Sequence, residues 1–330
     1  MMEQSEKFLS VKNLVVEYTQ GKDTIHAVNK VSFELEKGKT LGLVGETGAG
    51  KTSIAKAILR ILPDVGASIK SGEILLNGKN LITIPEKEMQ QIRGNVISMI
   101  FQDPMTALNP LMTIGAQIAE SISLHNADWD SARCSKEAVK MLEMVGIPGE
   151  RFGEYPFQFS GGMKQRVVIA MALSCNPELL LADEPTTALD VTIQAQVLNL
   201  IRELRKKLNT SMILITHDLG VVAEMCDQVA TVYAGHIVET GSVIDVYHNP
   251  AHPYTEGLFG ALPVMNTESS RLTPIPGTVP DPAVIAEGCP FAPRCKYVTE
   301  KCRNEMPSLR EITPGHFTAC FENIGGNKNA

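Results

Sequence analysis

Residues 45–52 read Gly-Glu-Thr-Gly-Ala-Gly-Lys-Thr, and no other stretch limits so sharply what this chain can fold into. The spacing matches the phosphate-loop pattern G-x-x-x-x-G-K-[ST] at every fixed position. An apolar run over 40–44 precedes it and suits a buried strand, and Ile54, Ile58 and Ile61 follow at helical spacing. The loop therefore joins a strand to a helix. In that setting successive backbone N–H groups and the helix N-terminus form a positive concavity for phosphate. Gly45, Gly48 and Gly50 let the backbone wrap closely, with Glu46, Thr47 and Ala49 between them and Ser53 just beyond. Lys51 is expected to reach the β- and γ-phosphates of a nucleotide, and Thr52 to place its hydroxyl on Mg²⁺.

Composition narrows the class. With 330 residues and 44% hydrophobic content, the chain can bury one large core or two ordinary ones. A net charge of -7 supplies no overall basic field for nucleic acid. The N-terminal MMEQSEKFLS has neither a positive n-region nor an apolar h-region, and the longest apolar run, 167–173, is too short to span a bilayer. A chain that is neither exported nor membrane-spanning by itself is expected.

Taken in order, 10–18 and 31–35 carry β-branched and aromatic residues bounded by turn-like TQGKD and EKGK, which predicts antiparallel strands. Tyr18 ends the first, where an aromatic ring can stack on adenine or simply close a strand. Strands are also expected at 72–76, ahead of the Asn77-Gly78 turn, and at 97–101, which Gln102-Asp103-Pro104 stops. From 105 to 154 the pattern turns amphipathic: Ile114, Ile118 and Ile122 share one helical face, and Val139, Leu142 and Val145 another. Ser160, Gly161 and Gly162 open the next helix, and an N-terminus so free of bulk is an anion site. Residues 179–181 read as a buried parallel strand with Asp183 and Glu184 at its C-terminal end, where α/β sheets place chemistry. Asp183 can order a Mg²⁺ shell, and Glu184 can orient an attacking water and take its proton. The strand at 211–216 delivers His217 to a similar position, as a candidate γ-phosphate contact.

The ordered set Tyr18, GETGAGKT, Gln102, FSGGMKQR, LLLADE, Ala188-Leu189-Asp190 and His217 resembles an ATP-binding cassette (ABC) ATPase over residues 8 to about 250. The resemblance implies an α/β P-loop fold: a RecA-like mixed sheet core, an antiparallel β subdomain and a helical subdomain at about 103–160. It implies that Tyr18 stacks on adenine, that Gln102 couples the site to a membrane partner and joins Thr52 and Asp183 around Mg²⁺, and that Glu184 is the general base. It also implies that Asp190 communicates across a cassette dimer and that His217 is a switch histidine; Lys51, Gln102, Glu184 and His217 form the catalytic set. The usual signature LSGGQ is FSGGM here, so Met163 replaces a polar side chain, and Ser160 and Gly162 are left as the phosphate contacts. FQDPMTALNP, ADEPTTALDVTIQAQ, NPAHPYTEGLFGALP, PIPGTVPD and GCPFAPRC narrow the likeness to the ATP-binding subunits of dipeptide and oligopeptide importers. Nickel, glutathione and oligosaccharide importers are similar. Implied partners are a second cassette, identical or related, two transmembrane permease subunits and, through them, an extracytoplasmic solute-binding protein. The implied location is peripheral, on the cytoplasmic face of the membrane. A soluble cassette ATPase acting on DNA or ribosomes is the alternative of another class, and the acidic charge opposes it.

The last 80 residues differ. Of 19 prolines, 11 lie from Pro250 onward, so 251–330 reads as a separate Cys/Pro-rich extension with little regular structure. Four of the seven cysteines, Cys289, Cys295, Cys302 and Cys320, fall in it with the spacing C-x5-C-x6-C-x17-C. A loop-rich segment needs a staple, and clustered thiols in a reducing compartment favour metal. The wide spacing suits a [4Fe–4S] cluster better than a compact zinc ribbon, with Zn²⁺ as the runner-up and His316 as a substitute ligand. The cluster is expected to be structural, since no spacing brings it near the nucleotide. Cys134, Cys175 and Cys226 are scattered and read as packing residues.

Overall fold

The computed structural model describes residues 7–187, 189–260, 274–322 and 324. The chain divides into two compact units, one made of residues up to 35, 40–82 and 216 onward, the other of 36–39 and 83–215.

The first unit carries a four-stranded sheet in the spatial order Asp23–Glu36, Lys7–Gln20, Ala67–Leu76, Lys79–Asn80. Lys7–Gln20 and Ala67–Leu76 run antiparallel from Leu9 opposite Leu76 to Tyr18 opposite Ala67, with irregular register around Val15. Along Asp23–Glu36 the alternation is plain: Val31, Phe33 and Leu35 are buried while Glu34 and Glu36 face water, as a two-residue side-chain period requires. These strands run several residues beyond the stretches expected from sequence, because polar residues flanking the apolar runs still pair through their backbones.

In the same unit, Thr40–Val44 is buried at every position and pairs parallel with Gln228–Tyr233. His236–Ser242 folds back antiparallel on Gln228–Tyr233. The Pro-rich tail then departs from expectation. His316–Thr318 adds antiparallel to His236–Ser242, and Arg310–Thr313 adds to that strand in turn. A helix at Pro253–Gly260 and a short one at Glu300–Asn304 accompany them. Among the described residues the tail's prolines lie at connections and, at Pro253 and Pro293, in a first helical turn, where a missing N–H costs little; the two tail strands contain none. Residues 261–273 lie outside the described residues.

One buried carboxylate stitches the tail in place. Glu239, fully buried on His236–Ser242, accepts from the backbone N–H groups of Ala251 and His252 at 2.8 and 2.9 Å and lies 2.8 Å from Nε2 of His316. His316 is thereby occupied and is not among the residues lining the cysteine pocket described below, which corrects its reading as a substitute metal ligand.

The second unit centres on three parallel strands, Ile97–Ile100, Leu179–Asp183 and Ser211–Ile215, with Ile97, Leu179 and Ser211 in register. Every residue of the three is buried, which explains their unbroken apolar pattern. Two helices, Ile114–His125 and Ser131–Met144, pack on each other and begin at Thr113 and Asp130, whose side chains accept from Ala116 and Arg133 N–H groups. Ile114, Ile118 and Ile122 are buried as their spacing predicts. On the second helix the buried face is Cys134, Ala138, Met141 and Leu142, with Val145 at its cap, so Val139 is only partly covered.

Replacing His316 by Ala leaves the Glu239 carboxylate buried without its side-chain partner, and breaking such a pair costs about 3 kcal/mol. Urea unfolding is expected to show that loss, whereas a substitution at exposed Glu311 leaves the midpoint near wild type.

Candidate nucleotide-binding site

In the first unit, Thr40–Val44 runs into residues 45–50 and then into the helix Lys51–Leu59, the strand–loop–helix order the motif demands. That helix has no side-chain cap hydrogen bond: its N-cap is Gly50 at φ +102°, and a helix N-terminus following such a turn favours an anion. The loop is tightly covered at its two ends. A Cβ on Gly45, at φ +147°, would sit 2.1 Å from the Val232 carbonyl oxygen, and one on Gly50 would sit 2.2 Å from that of Ala27. Gly235 N–H adds a hydrogen bond to the Ala49 carbonyl at 3.0 Å. Lys51 is buried, its ammonium donating to the carbonyls of Gly45 and Glu46 at 2.7 and 2.9 Å. Tyr18, half-buried near the end of its strand, has its hydroxyl 3.1 Å from Ser53 Oγ, so the expected adenine-stacking ring stands next to the first turn of the loop helix. His217 is exposed just before Asp218, whose carboxylate caps the helix Leu219–Met225.

In the second unit, Asp183 is the last residue of its strand and is 3% exposed, and Glu184 follows it. Glu184 is held at φ +46°, a left-handed conformation that a non-glycine residue adopts only when its surroundings impose it. The surroundings here are specific. Its N–H donates to the Ile215 carbonyl at 2.8 Å, and its Oε2 accepts from Thr187 Oγ1 at 2.8 Å and from Gln102 Nε2 at 3.0 Å. The structure therefore brings Gln102 and Glu184 together and adds Thr187, which sequence reasoning does not single out although it stands within ADEPTTALD. Gln165 is equally silent in the sequence: fully buried, it donates from Nε2 to the Pro185 carbonyl at 2.6 Å, tying the Ser-Gly-Gly helix to the carboxylate loop.

The helix Gly161–Leu173 is capped by Ser160, whose hydroxyl accepts from Met163 N–H at 3.4 Å. Ser160 and Gly161 are exposed, and a Cβ on Gly161 would meet only Leu189 Cδ2 at an ordinary contact distance of 3.9 Å, whereas one on Gly162 would meet Ile193 Cγ2 at 2.5 Å. Packing against Ile193 thus accounts for Gly162 without a ligand. Asp190 is exposed and caps the helix Val191–Leu208 through Ile193 N–H at 3.0 Å.

All four tail cysteines line one pocket, together with His252 and Phe291. Burial pushes the Cys289 and Cys320 thiols up to about 11 and raises Cys295 as well. Backbone N–H groups of Phe291, Tyr297 and Glu322 oppose that rise, each belonging to the second residue after the cysteine it serves. The Tyr297 N–H lies 3.3 Å from Cys295 Sγ. His252, buried, stays neutral with its pKa pushed down to about 3. Among the described residues, no three His, Cys, Asp or Glu side chains are gathered as tightly as a metal ion requires. The tail is not remote from the phosphate loop as expected: Arg294, next to Cys295, forms a bidentate ion pair with Glu46 at 2.7 and 3.0 Å.

Comparison with known proteins agrees with this geometry. The family model described as ABC transporter matches residues 28–187, and that described as oligopeptide/dipeptide transporter, C-terminal region, matches 238–302. The chain is 50% identical over 318 residues to the dipeptide transport ATP-binding protein DppD of Bacillus subtilis, covering 96% of this chain and 95% of that one. It is 45% identical to the oligopeptide transport ATP-binding protein OppD of Escherichia coli, covering 98% and 95%. Among solved structures, the dimeric bacterial ABC transporter cassette MJ0796 superposes with a TM-score of 0.64 at 25% identity, over 71% of this chain and 98% of the other.

Gly45→Ala is expected to lower thermal stability and abolish nucleotide binding, since the backbone conformation alone costs a non-glycine residue about 1 to 3 kcal/mol and the Val232 carbonyl must move besides. Gly48→Ala, with no atom within 4 Å of the new Cβ, carries only the conformational cost and is expected to be the milder change in a paired melting and ATP-binding measurement.

Proposed function

This chain belongs to the ABC transporter family of ATP-binding proteins, and from that premise we propose that it powers the import of dipeptides or oligopeptides across a membrane. The fold is that of an ABC ATPase, and the activity is ATP hydrolysis. The observation that carries the peptide reading is the near-complete alignment with dipeptide and oligopeptide transport subunits, through the cysteine-bearing region as well as the cassette. Nickel, glutathione or oligosaccharide import, and a soluble role on DNA or ribosomes, have no comparable support.

In this reading the phosphate-loop N–H groups, Lys51 and the helix N-terminus receive the triphosphate, Ser53 lies alongside, and Tyr18 stacks on adenine. Thr52 and Asp183, with Gln102, offer the hard oxygen donors that Mg²⁺ takes, and Mg²⁺ neutralises charge on the phosphates. Glu184 accepts the proton of the attacking water: its left-handed backbone and the donors Thr187 and Gln102, both on Oε2, fix the carboxylate in one orientation for that transfer. His217 contacts the γ-phosphate. Ser160, Gly161 and Gly162 contribute to the site of a second cassette, and Asp190 signals between the two. Gln102 and the helices of 103–160 bear on two membrane-spanning permease subunits, which themselves meet the solute-binding protein. Exposed Phe101 and Leu124 border a groove beside Gln102 that suits such a contact. Among the described residues no helix is long and apolar enough to cross a membrane; the subunit is assigned in this reading to the cytoplasmic face, as a peripheral partner of the permeases.

The extension at 251–330 holds, in this reading, a [4Fe–4S] cluster on Cys289, Cys295, Cys302 and Cys320. Four thiols share one pocket, and thiols as hard to ionise as those of Cys289 and Cys320 need a cationic core to become thiolates. The backbone N–H groups aimed at three of them suit thiolate ligands. Protein purified without air is expected to be brown with about four iron per chain; colourless protein carrying zinc overturns the cluster in favour of a Cys₄ zinc site.

Glu184→Gln is expected to bind ATP normally and to lose turnover in the assembled transporter, with import of labelled dipeptide lost in parallel. Near-normal hydrolysis by that variant removes Glu184 from the role of base, and import of a different solute alone removes the peptide assignment.

A further inference from the structure

The entrance of the phosphate loop is gripped by residues that lie outside every cassette motif. Glu46, second in the loop, is fixed at three points: its N–H donates to the Tyr254 hydroxyl at 2.8 Å, its carbonyl accepts from Lys51, and its carboxylate takes two arms of Arg294. Tyr254 comes from the helix Pro253–Gly260, and Arg294 from the turn Ala292–Arg294 between two of the clustered cysteines. Arg294 has little freedom of its own. It is 8% exposed, its Nε–H donates to the Pro276 carbonyl at 2.9 Å, and its Nη1 donates also to the Tyr233 hydroxyl at 3.3 Å. Phe291 packs on both Tyr233 and Tyr254, with ring centroids 5.2 and 5.4 Å apart, and also lines the cysteine pocket. Cys289 and Cys295 pack against the same aromatic cluster, so a continuous set of contacts runs from the cysteine pocket to the loop.

We propose that Arg294 and Tyr254 are positioning residues for nucleotide binding, through which the order of the cysteine segment sets the affinity of the phosphate loop. The first reason is electrostatic. A carboxylate on the second loop residue opposes an incoming polyphosphate; the bidentate guanidinium neutralises it and turns it away, so loss of Arg294 alone strands a negative charge beside the ligand. The second is geometric. Lys51 must leave the carbonyls of Gly45 and Glu46 to reach a phosphate, and a loop held from outside keeps its shape when that tie is released, so less ordering is charged to binding. The inference rests on the ATP-binding role of the loop and is independent of which metal the cysteines hold.

The test is titration of the full-length protein with a fluorescent ATP analogue, with tail protease resistance followed in parallel. Arg294→Gln is expected to weaken binding about tenfold, the scale of one charge-assisted contact. Glu46→Gln weakens it less, because it removes the opposing charge along with the grip. The double variant binds more tightly than Arg294→Gln alone, a rescue that a merely structural pair does not give. Cys295→Ser lowers affinity in the wild-type background and no further in the Arg294→Gln background. If Arg294→Gln loosens the tail, Arg294→Lys, which keeps the charge without the fork, is expected to bind at an intermediate level with the tail intact. Wild-type affinity in Arg294→Lys, a double variant no better than Arg294→Gln, or equal losses from Cys295→Ser in both backgrounds each overturn the proposal. Failure of the wild-type chain to bind the analogue instead strikes the nucleotide reading itself.

Discussion

The close approach of two carbonyl oxygens, from Val232 and Ala27, to the phosphate-loop glycines is the contact on which the first unit depends. A loop that receives phosphate through its backbone must expose N–H groups in a fixed order, and such order is costly to impose on glycine-rich chain. Here it is imposed by contact from outside. Ala27 lies on one long antiparallel strand, Val232 on the strand parallel to Thr40–Val44, and Gly235 in the turn after it reaches Ala49. Two segments outside the motif, one around Ala27 and one over Val232 to Gly235, converge on six loop residues, so the shape of the loop is a property of the folded unit, not of the motif.

The second unit solves the opposite problem. There the chain must hold one carboxylate in a single orientation at the end of a strand, with its surroundings set in advance. The left-handed turn at Glu184 breaks the direction of Leu179–Asp183, and the bond from its N–H to Ile215 sets the turn against the neighbouring strand. Gln165, buried behind it on Pro185, makes the position of the carboxylate loop depend on the helix that Ser160 caps. The helix and the carboxylate loop are thus joined by one buried hydrogen bond, so a displacement of either is felt by the other.

Local chemistry makes the motif residues legible in the sequence. Glycine spacing, apolar runs ending in carboxylates and apolar repeats at helical spacing each have one inexpensive structural solution, and Thr40–Val44, Leu179–Asp183 and Ile114–His125 follow it. Whatever depends on partners far along the chain is not legible in that way. Thr187 and Gln165 read as ordinary polar residues, because the groups they donate to are fixed by the fold. Proline density points to an irregular tail, since local propensity cannot register a strand that forms only when an edge is offered to it. Arg294 is visible within CPFAPRC, yet nothing in that run announces a carboxylate 248 residues away.

The tail's architecture follows from its own weakness. A segment with scattered apolar residues and frequent prolines cannot offset its ordering entropy alone, so it borrows structure from the cassette. It pairs with the strand His236–Ser242, which protects an otherwise open sheet edge, and it directs His316 onto the buried Glu239. The same carboxylate holds the backbone at Ala251 and His252, just ahead of Tyr254. Tail strand, phosphate-loop grip and cysteine pocket are consequently fastened to one another through Glu239, Tyr254 and Phe291, and none can loosen without altering the others' surroundings. A ligand that ties the cysteines together therefore stabilises more than the tail, because the free energy of its binding is felt wherever those shared side chains reach, including the second residue of the phosphate loop.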